Sequence, residues 1–261
     1  MSKVEREIET KILVTPEQFD ALYDEWSEKA IDGKIKDKFR PRAYFDTKSR
    51  RLYQEKIALR VQYKEDKGFE QTIKYEAHEE NKKKKSKDEP LERDEVKDFL
   101  KGKDEHPDLG LVDLDEIPDK DVCKTLKKCR EKELKHVFTA AVKRKYFVIP
   151  VMEDGKVIGK VELAFDRGNI IHADEADLCE PVAEIEVELK EGDPKVVDMV
   201  VEEILAQTPG AKISTLSKAD VGYDLDAQAA ERKQKRKDVA KNVKSDKKVL
   251  PKQSRKMFPN K

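Results

Sequence analysis

The sequence lacks the short motifs on which many enzymes depend. Its ten glycines form neither G-x-G-x-x-G nor G-x-x-x-x-G-K-[ST], and its four histidines form no H-E-x-x-H. It also contains no G-x-S-x-G. These absences exclude the common glycine-rich nucleotide loop, the helical zinc site and the serine nucleophile elbow. If the protein has a catalytic site, carboxylates, lysines and arginines must form it.

Cysteines and long apolar segments are also scarce. The three cysteines, Cys123, Cys129 and Cys179, cannot all pair and show no C-x-x-C spacing. This pattern favours a reducing compartment, hence a cytoplasmic location, and argues against a zinc site. No apolar run approaches the roughly 18 residues of a membrane span, and no segment has the apolar character of a signal peptide. We therefore expect no contact with a membrane.

Charged residues make up 43% of the chain, and 56 basic residues balance 56 acidic ones. The charge is distributed unevenly along the chain, because residues 228–261 contain 13 Lys or Arg and 3 Asp or Glu. We expect these residues to form a basic, disordered extension after a domain at 1–227. Within that domain, residues 78–90 and 101–121 are expected to be charged inserts. The extension could contact nucleic acid or polyphosphate, or it could simply be solvated.

The periodicity of apolar residues predicts an α+β fold. The segment Val4–Val14 alternates between apolar and charged residues, which indicates a strand. Thr15, Pro16 and Gln18 have the spacing of a helical capping box with proline at the first helical position. Further strands are predicted at Arg42–Asp46, Ala58–Tyr63, Phe69–Tyr75, Leu91–Val96, Val137–Ile149, Lys160–Asp166 and Val182–Lys190, and further helices at Asp121–Lys135 and from Asp193 onward. Many antiparallel strands and few helices favour a closed or nearly closed β-barrel packed against helices.

Several predicted strands have ionisable side chains along one whole face. In the segment Glu184–Lys190, three glutamates alternate with three apolar residues, and Glu5, Glu7, Glu9 and Lys11 alternate in the same way. A solvated sheet face is the simplest explanation of one such strand. Neighbouring glutamates repel one another unless cations intervene, so two acidic strands together favour an inward-facing cavity. Carboxylates there would suit Mg²⁺ or Mn²⁺, and basic side chains would suit phosphate oxygens.

These charged strands match known signatures. Glu7-Ile-Glu9-Thr-Lys11 resembles the ExExK signature of the CYTH family, the triphosphate tunnel metalloenzymes. Seven further segments resemble the family's motifs in order: Tyr44–Thr47 with Ala58–Val61, Thr72–Lys74, Arg93–Glu95, Phe138–Thr139 with Lys143–Lys145, Glu162–Gly168, Glu184–Lys190 with Gly192, and Ser217–Lys218 with Gly222–Tyr223. The order is most similar to that of the bacterial inorganic triphosphatases of the family.

The resemblance implies a closed antiparallel eight-stranded β-barrel that encloses a triphosphate tunnel. It implies that Mg²⁺ or Mn²⁺ is held by carboxylates: Glu7, Glu9, Asp166, Glu184, Glu186 and Glu188. It implies that the triphosphate is bound by basic side chains: Lys11, Arg60, Lys74, Arg93, Arg144 and Lys218. The residues expected to be catalytic are Glu7, Glu9, Lys11 and Glu186. In the family, water normally attacks the phosphoryl group, so no protein nucleophile is needed.

Two departures from the family pattern remove expected phosphate donors. The family often has a second arginine two positions after the first, where this chain has Gln62. The terminal motif has an arginine where this chain has Val221. Arg144 is flanked by Lys143 and Lys145, so a register slip of one residue would exchange which side chain faces the tunnel.

Three functions follow from the resemblance. The first is hydrolysis of inorganic tripolyphosphate with a divalent cation. The second is an organic-triphosphate enzyme, either a class IV adenylyl cyclase or a thiamine or RNA 5′-triphosphatase. The third is a non-catalytic protein that binds polyphosphate or nucleic-acid ends.

Overall fold

The computed structural model describes residues 4–65, 67–76, 91–100 and 105–249, without the side chains of Leu91 and of residues 242–249. Its strands are β1 (Val4–Leu13), β2 (Lys36–Thr47), β3 (Ile57–Lys64), β4 (Gly68–Tyr75), β5 (Leu91–Phe99), β6 (Leu134–Glu153), β7 (Lys156–His172), β8 (Cys179–Gly192) and β9 (Lys212–Ser214). Its helices are α1 (Pro16–Ser27), α2 (Arg51–Gln54), α3 (Lys120–Cys129), α4 (Lys195–Gln207) and α5 (Lys218–Val249). Short 3₁₀ turns lie at Ile31–Gly33 and Leu109–Leu111.

Eight of the strands close into an antiparallel barrel. Their order is β5-β4-β3-β2-β6-β7-β8-β1, and β1 pairs with β5 to close the ring. The ninth strand, β9, pairs with β1 beyond the end of β5. The predicted α+β fold with an eight-stranded barrel is therefore confirmed. In such a barrel, inward and outward side chains alternate along every strand.

The first helix begins as its sequence predicts. The hydroxyl of Thr15 accepts from the backbone N–H of Gln18 at 3.3 Å, and the Gln18 side chain accepts from the backbone N–H of Thr15 at 3.0 Å. This capping box uses two backbone donors that the helix itself leaves unpaired. The apolar stripe of α1 then buries Phe19, Leu22 and Trp26 against the barrel.

The central hairpin is longer than the sequence predicts. Strands β6 and β7 pair from Phe138 opposite His172 to Glu153 opposite Lys156. The turn between them is Asp154-Gly155, and both residues have positive φ, at 51° and 75°. That conformation is typical of the tight turns that join twisted antiparallel strands. The helix predicted at Asp121–Lys135 ends at Cys129, because β6 begins at Leu134.

The apolar core lies outside the barrel. Helices α1 and α4 pack on the outer face of β7 and β8, where Phe165, Ile185 and Val187 are fully buried. Residues 109–126 pack in the same way over β3, β4 and β5. Helix α5 covers β6, and a Cβ atom at Gly222 would lie 2.3 Å from the ring of Phe138. Since the outward faces supply the core, the inward faces are free to be polar.

The basic extension differs from the disorder expected for it. Helix α5 continues through residue 228 to Val249, and residues 250–261 lie outside the described residues. Lysine, arginine, glutamine and alanine dominate this segment and have high helix propensity. Ala229 is buried, and Arg232 pairs with Asp177 at 2.6 Å. Local propensity and contacts with the β7–β8 loop together favour the helix. The division of the chain at residue 227 stays a prediction.

The structure describes most of one predicted insert and none of the charged core of the other. The segment 78–90 lies outside the described residues. In the segment 101–121, the first four residues also lie outside them, and Leu109, Val112 and Leu114 belong to the core over β3–β5. Among the helices that are described, none is long and apolar enough to cross a membrane.

Candidate active site

The inward faces of the barrel strands surround a polar cavity of about 180 Å³, which we call the tunnel. Six glutamates line it: Glu7, Glu9, Glu95, Glu162, Glu186 and Glu188. Eleven basic side chains also line it: Lys11, Arg40, Arg42, Arg60, Lys64, Lys74, Arg93, Lys97, Arg144, Lys190 and Lys218. The lining therefore has a formal excess of five positive charges, which favours a polyanionic ligand.

The glutamates form an acidic wall on three adjacent strands. Glu9 on β1 is directly opposite Glu188 on β8, and Glu188 is in turn opposite Glu162 on β7. Burial raises the pKa of Glu162 even though Lys190 lowers it. Like charges directly opposite each other on a sheet are destabilising. A cation bound between these carboxylates would relieve that repulsion.

Two of the predicted metal ligands are already paired with basic residues. Glu7 accepts from Lys74, and Glu9 accepts from Arg93. Burial and Glu186 raise the pKa of Glu9, but Arg93, Lys11 and Lys74 outweigh them and lower it to about 2. For Glu7, burial outweighs Lys74 and raises the pKa to about 7. Glu9 is thus ionised at neutral pH, whereas Glu7 is poised to gain or lose a proton.

The raised pKa of Glu7 predicts a pH dependence of stability. The folded-state pKa of about 7 lies above the usual 4.5, so the folded protein binds a proton that the unfolded chain releases. Glu7 therefore stabilises the fold below pH 4.5 and loses that contribution as pH rises through 7. We expect the free energy of unfolding of the wild type, relative to Glu7→Gln, to fall by about 2–3 kcal/mol between pH 5 and 8. Urea titrations of both proteins across this pH range measure the difference in their free energies of unfolding. If the two free energies change in parallel with pH, the raised pKa of Glu7 is contradicted.

A second acidic group lies at the base of α5. Asp166, Glu184 and Glu186 bring carboxylate oxygens within 4.8 Å of one another, a group that could hold a metal ion. The ammonium of Lys218 lies among them, 2.7 Å from Asp166 and 2.8 Å from Glu186, and also donates to Glu184. An ammonium has three N–H donors, so Lys218 has one for each carboxylate. These contacts raise the pKa of Lys218 despite its burial.

Arg144 completes this second group. Its guanidinium donates two hydrogen bonds to Asp166, at 2.7 and 2.6 Å, and a third to Glu186 at 2.5 Å. Asp166 and Glu184 are buried behind the tunnel lining and do not face the cavity. Two basic groups thus offset two of the three carboxylate charges, which leaves a formal charge of −1 in this group. Glu186 belongs both to this group and to the lining of the tunnel.

The other basic side chains are mostly held by carboxylates at the tunnel wall. Arg60 donates to Glu95 at 3.1 Å, and Lys74 lies 3.5 Å from the same group. Glu95 is only 1% exposed. Burial raises its pKa, but Lys74 and Arg60 outweigh burial and lower it. Lys11 is buried 3.8 Å from Glu9 and 3.9 Å from Glu186. A bound polyanion would therefore compete with these carboxylates for the basic side chains.

The structure brings together ten of the twelve predicted site residues in one cavity. Those that line the tunnel are Glu7, Glu9, Lys11, Arg60, Lys74, Arg93, Arg144, Glu186, Glu188 and Lys218. Arg144 itself faces the tunnel, whereas Lys143 is exposed and pairs with Asp37 outside. The residues missed by sequence reasoning include Arg40, Arg42, Lys64, Glu95, Lys97, Glu162 and Lys190.

Arg40 and Arg42 have a signal in the sequence. They alternate with Pro41 and Ala43 on β2, as Tyr44 does, and so share its inward face. The predicted strand begins at Arg42, and proline inside a run generally argues against a strand. In the structure β2 continues through Pro41 and begins at Lys36.

Comparisons with known proteins agree with this arrangement. A family model described as CYTH domain matches residues 5–223. A candidate adenylyl cyclase from Hippeastrum, described as having a dominant triphosphatase activity, has a structure similar to this one. It aligns at a TM-score of 0.52 with 18% identity, covering 84% of this chain and 95% of that one. This likeness shows the same fold. No curated protein matches the chain in sequence.

Two other solved structures align less closely. A candidate adenylate cyclase from Bacillus halodurans aligns at a TM-score of 0.45 with 21% identity, covering 82% of this chain and 96% of that one. A protein from Pyrococcus horikoshii aligns at 0.42 with 16% identity, covering 84% and 98%.

Proposed function

The chain belongs to the CYTH domain family, and from that premise we propose that it is a divalent-metal-dependent triphosphatase that hydrolyses inorganic tripolyphosphate. The observation that supports this most directly is the charge of the tunnel. Eleven basic side chains and six carboxylates face one cavity, so a small polyanion would offset its excess positive charge and the carboxylates could hold a cation beside it. No apolar platform for a large organic group is needed for that substrate.

The basic side chains bind and orient the phosphate chain. Arg60, Lys74 and Arg93 extend from β3, β4 and β5, which are consecutive in the barrel. Arginine can donate two parallel hydrogen bonds to a phosphate, and lysine provides a compact charge. As water attacks a terminal phosphorus, negative charge develops on the bridging oxygen. Donors already fixed in an enclosed site stabilise that charge without reorganising.

The carboxylates of the acidic wall would hold a divalent cation. The donors are oxygens of Glu7, Glu9, Glu186 and Glu188, which suit Mg²⁺ or Mn²⁺ better than soft metals. Bound there, the cation supplies charge neutralisation to the phosphate oxygens and Lewis acidity toward water. The direct opposition of Glu9 and Glu188 supports this assignment, because a cation would offset the repulsion between the two carboxylates.

Two finer points stay predictions. The free thiols of Cys123, Cys129 and Cys179 are compatible with a reducing cytoplasm. A contact of the basic extension with nucleic acid or polyphosphate is supported by the exposure of Lys233, Lys237 and other basic residues along α5.

A substrate panel tests the proposed function. The protein is incubated with tripolyphosphate, ATP, thiamine triphosphate and 5′-triphosphate RNA while phosphate, pyrophosphate and cyclic AMP are followed. We expect phosphate release from tripolyphosphate that stops in excess EDTA and returns with Mg²⁺ or Mn²⁺, because hard cations bind carboxylate sites reversibly. Arg167→Gln, which removes an arginine from the outer face, serves as a control and should retain the activity.

The same panel separates the alternatives. Cyclic AMP from ATP would support a cyclase, and preferred hydrolysis of thiamine triphosphate or RNA ends would support an organic-triphosphate enzyme. Binding without turnover would support a non-catalytic role. Undiminished turnover after exhaustive chelation would contradict metal dependence.

A further inference from the structure

Arg42 is a buried cation without an anionic partner. Arg42 is 4% exposed, and its side chain lines the tunnel. Its one hydrogen bond runs from Nε to the amide oxygen of Gln62 at 3.5 Å. Within the described part of the chain, no carboxylate oxygen lies within 4.0 Å of its nitrogens. Arg60, Arg93 and Arg144, by contrast, each contact at least one carboxylate.

Burying an unpaired charge is unfavourable, and Arg42 is surrounded by further cations. Burial lowers the pKa of Arg42 to about 10, and the nearby Arg144 and Arg60 contribute to the same shift. The guanidinium therefore stays charged at neutral pH in surroundings that destabilise the charge. Asp166 and Tyr44 act in the opposite direction but do not outweigh these effects. An anion bound beside Arg42 would stabilise its charge further.

The strand register relates Arg42 to an expected arginine that this chain lacks. Arg42 on β2 is directly opposite Gln62 on β3. The CYTH resemblance predicts arginine at position 62. Side chains directly opposite each other on paired strands lie about 5 Å apart at Cβ, so a guanidinium from either position reaches the same part of the tunnel. Gln62 also donates to Glu70 at 2.7 Å, which keeps that carboxylate away from Arg42.

Arg40 lies beside Arg42 on the same inward face. Its Nη2 donates to the hydroxyl of Tyr146 at 2.8 Å. Among the described residues, no carboxylate oxygen lies within 4.0 Å of the side-chain nitrogens of Arg40 either. Strand β2 is four strands away from β1 in either direction around the ring. Arg40 and Arg42 thus lie across the tunnel from the carboxylates of β1.

We infer that Arg42 binds a phosphate group of the triphosphate and replaces, from the neighbouring strand, the arginine that is absent at position 62. This inference rests on the proposed function and deepens it. A phosphate at Arg42 would be held by a strand that lies four strands away from β1 in either direction around the barrel. With glutamine at position 62, one phosphate contact comes from Arg42 on β2, whereas the family pattern places it on β3. The number of phosphate contacts is unchanged.

A charge swap tests the inference. The variants are Arg42→Gln, Arg42→Gln combined with Gln62→Arg, and Arg42→Lys, and the control is Arg167→Gln on the outer face. Binding of tripolyphosphate in the presence of EDTA is measured by calorimetry, and thermal unfolding is followed without ligand. Arg42→Gln removes the charge-assisted hydrogen bonds of the guanidinium, and this loss should weaken the binding of tripolyphosphate by roughly 10- to 100-fold. The swapped variant should return to within about threefold of the wild type, since it restores a guanidinium to the same volume.

Unfolding separates a binding role from a structural one. Because the empty protein buries Arg42 unpaired, Arg42→Gln should melt at the same or a higher temperature than the wild type. Unchanged affinity in Arg42→Gln, or a swapped variant that stays as weak as the single variant, would overturn the inference. If Arg42→Gln does not fold, the inference is also overturned. The melting temperature of Arg42→Lys then shows whether a positive charge at this position is enough to keep the protein folded. A wild type that binds no tripolyphosphate would contradict the proposed function itself, and that result is visible before any variant is compared.

Discussion

Replacing Lys218 with methionine is expected to destabilise the protein severely. Methionine keeps the apolar stem but removes the ammonium that contacts Asp166, Glu184 and Glu186. Those carboxylates would then be left with Arg144 as the remaining close cation. Removing one partner of a buried ion pair typically costs about 3–5 kcal/mol, because the remaining charge stays desolvated. Urea unfolding at pH 7.5 measures the loss.

The same variant should become more stable as the pH falls. Without the ammonium, the three carboxylates repel one another more strongly, which favours protonation of this group in the folded variant. The folded variant then binds protons that the unfolded chain does not, and the stability gained at acid pH is lost as the pH rises. Millimolar Mg²⁺ or Mn²⁺ should also raise its melting temperature, because oxygens within 4.8 Å can share one cation.

An exposed lysine provides the control. Lys143 pairs with Asp37 on the outer surface, and Lys143→Met should change stability by at most about 0.5 kcal/mol. Wild-type melting of Lys218→Met, or a melting temperature that does not depend on pH, would show that Lys218 is not the counter-ion of this group. Direct contact with a bound phosphate would then be the better explanation of the lysine at position 218.

The barrel and its polar interior could be predicted from alternation alone to a large extent. On β1 and β8, strict alternation of glutamate with apolar residues fixed which side chains share a face, and Glu7, Glu9 and Glu186 indeed face the tunnel. What alternation cannot give is the partner of each charge. The pairing of Glu9 with Arg93 depends on the closure of the ring between β1 and β5.

Residues that depend on distant contacts were harder to predict. Asp166 and Glu184 contact Lys218, which comes from a helix that begins after both strands, so this contact could not be recognised from strand alternation. Their role as metal ligands stays a prediction. Arg42 stood at the first position of the predicted strand Arg42–Asp46, where too little of the alternation of β2 was visible to assign it to the inward face. The helix over residues 228–249 has little apolar periodicity, so its order could not be recognised from hydrophobic pattern.

Glu9→Gln is expected to reduce tripolyphosphate hydrolysis by about two to three orders of magnitude, the range for removing one essential charged or donor group from an active site. Glutamine keeps the shape of the side chain but removes the negative charge that a divalent cation requires. Excess Mn²⁺ should restore part of the activity by mass action. Tripolyphosphate binding in EDTA should be retained, because loss of the Glu9 charge frees Arg93 for the phosphate.

The substitution should also lower stability in a pH-dependent way. The folded-state pKa of Glu9 is lowered to about 2, so its contribution is present above pH 4.5 and is lost as the pH falls through 2. We expect Glu9→Gln to cost about 3 kcal/mol at pH 7 and far less near pH 2. Activity must therefore be compared at a temperature where both proteins are folded.

Glu5→Gln is the matched control for this variant. Glu5 lies on the same strand and the same face as Glu9 but is exposed outside the tunnel, where it pairs with Lys97 at 3.0 Å. If the acidic wall holds the cation, Glu5→Gln should retain nearly full activity across a Mn²⁺ titration while Glu9→Gln does not. Near-normal turnover of Glu9→Gln without added Mn²⁺ would mean that Glu9 serves only to balance Arg93. The cation would then have to be held by the remaining carboxylates of β8.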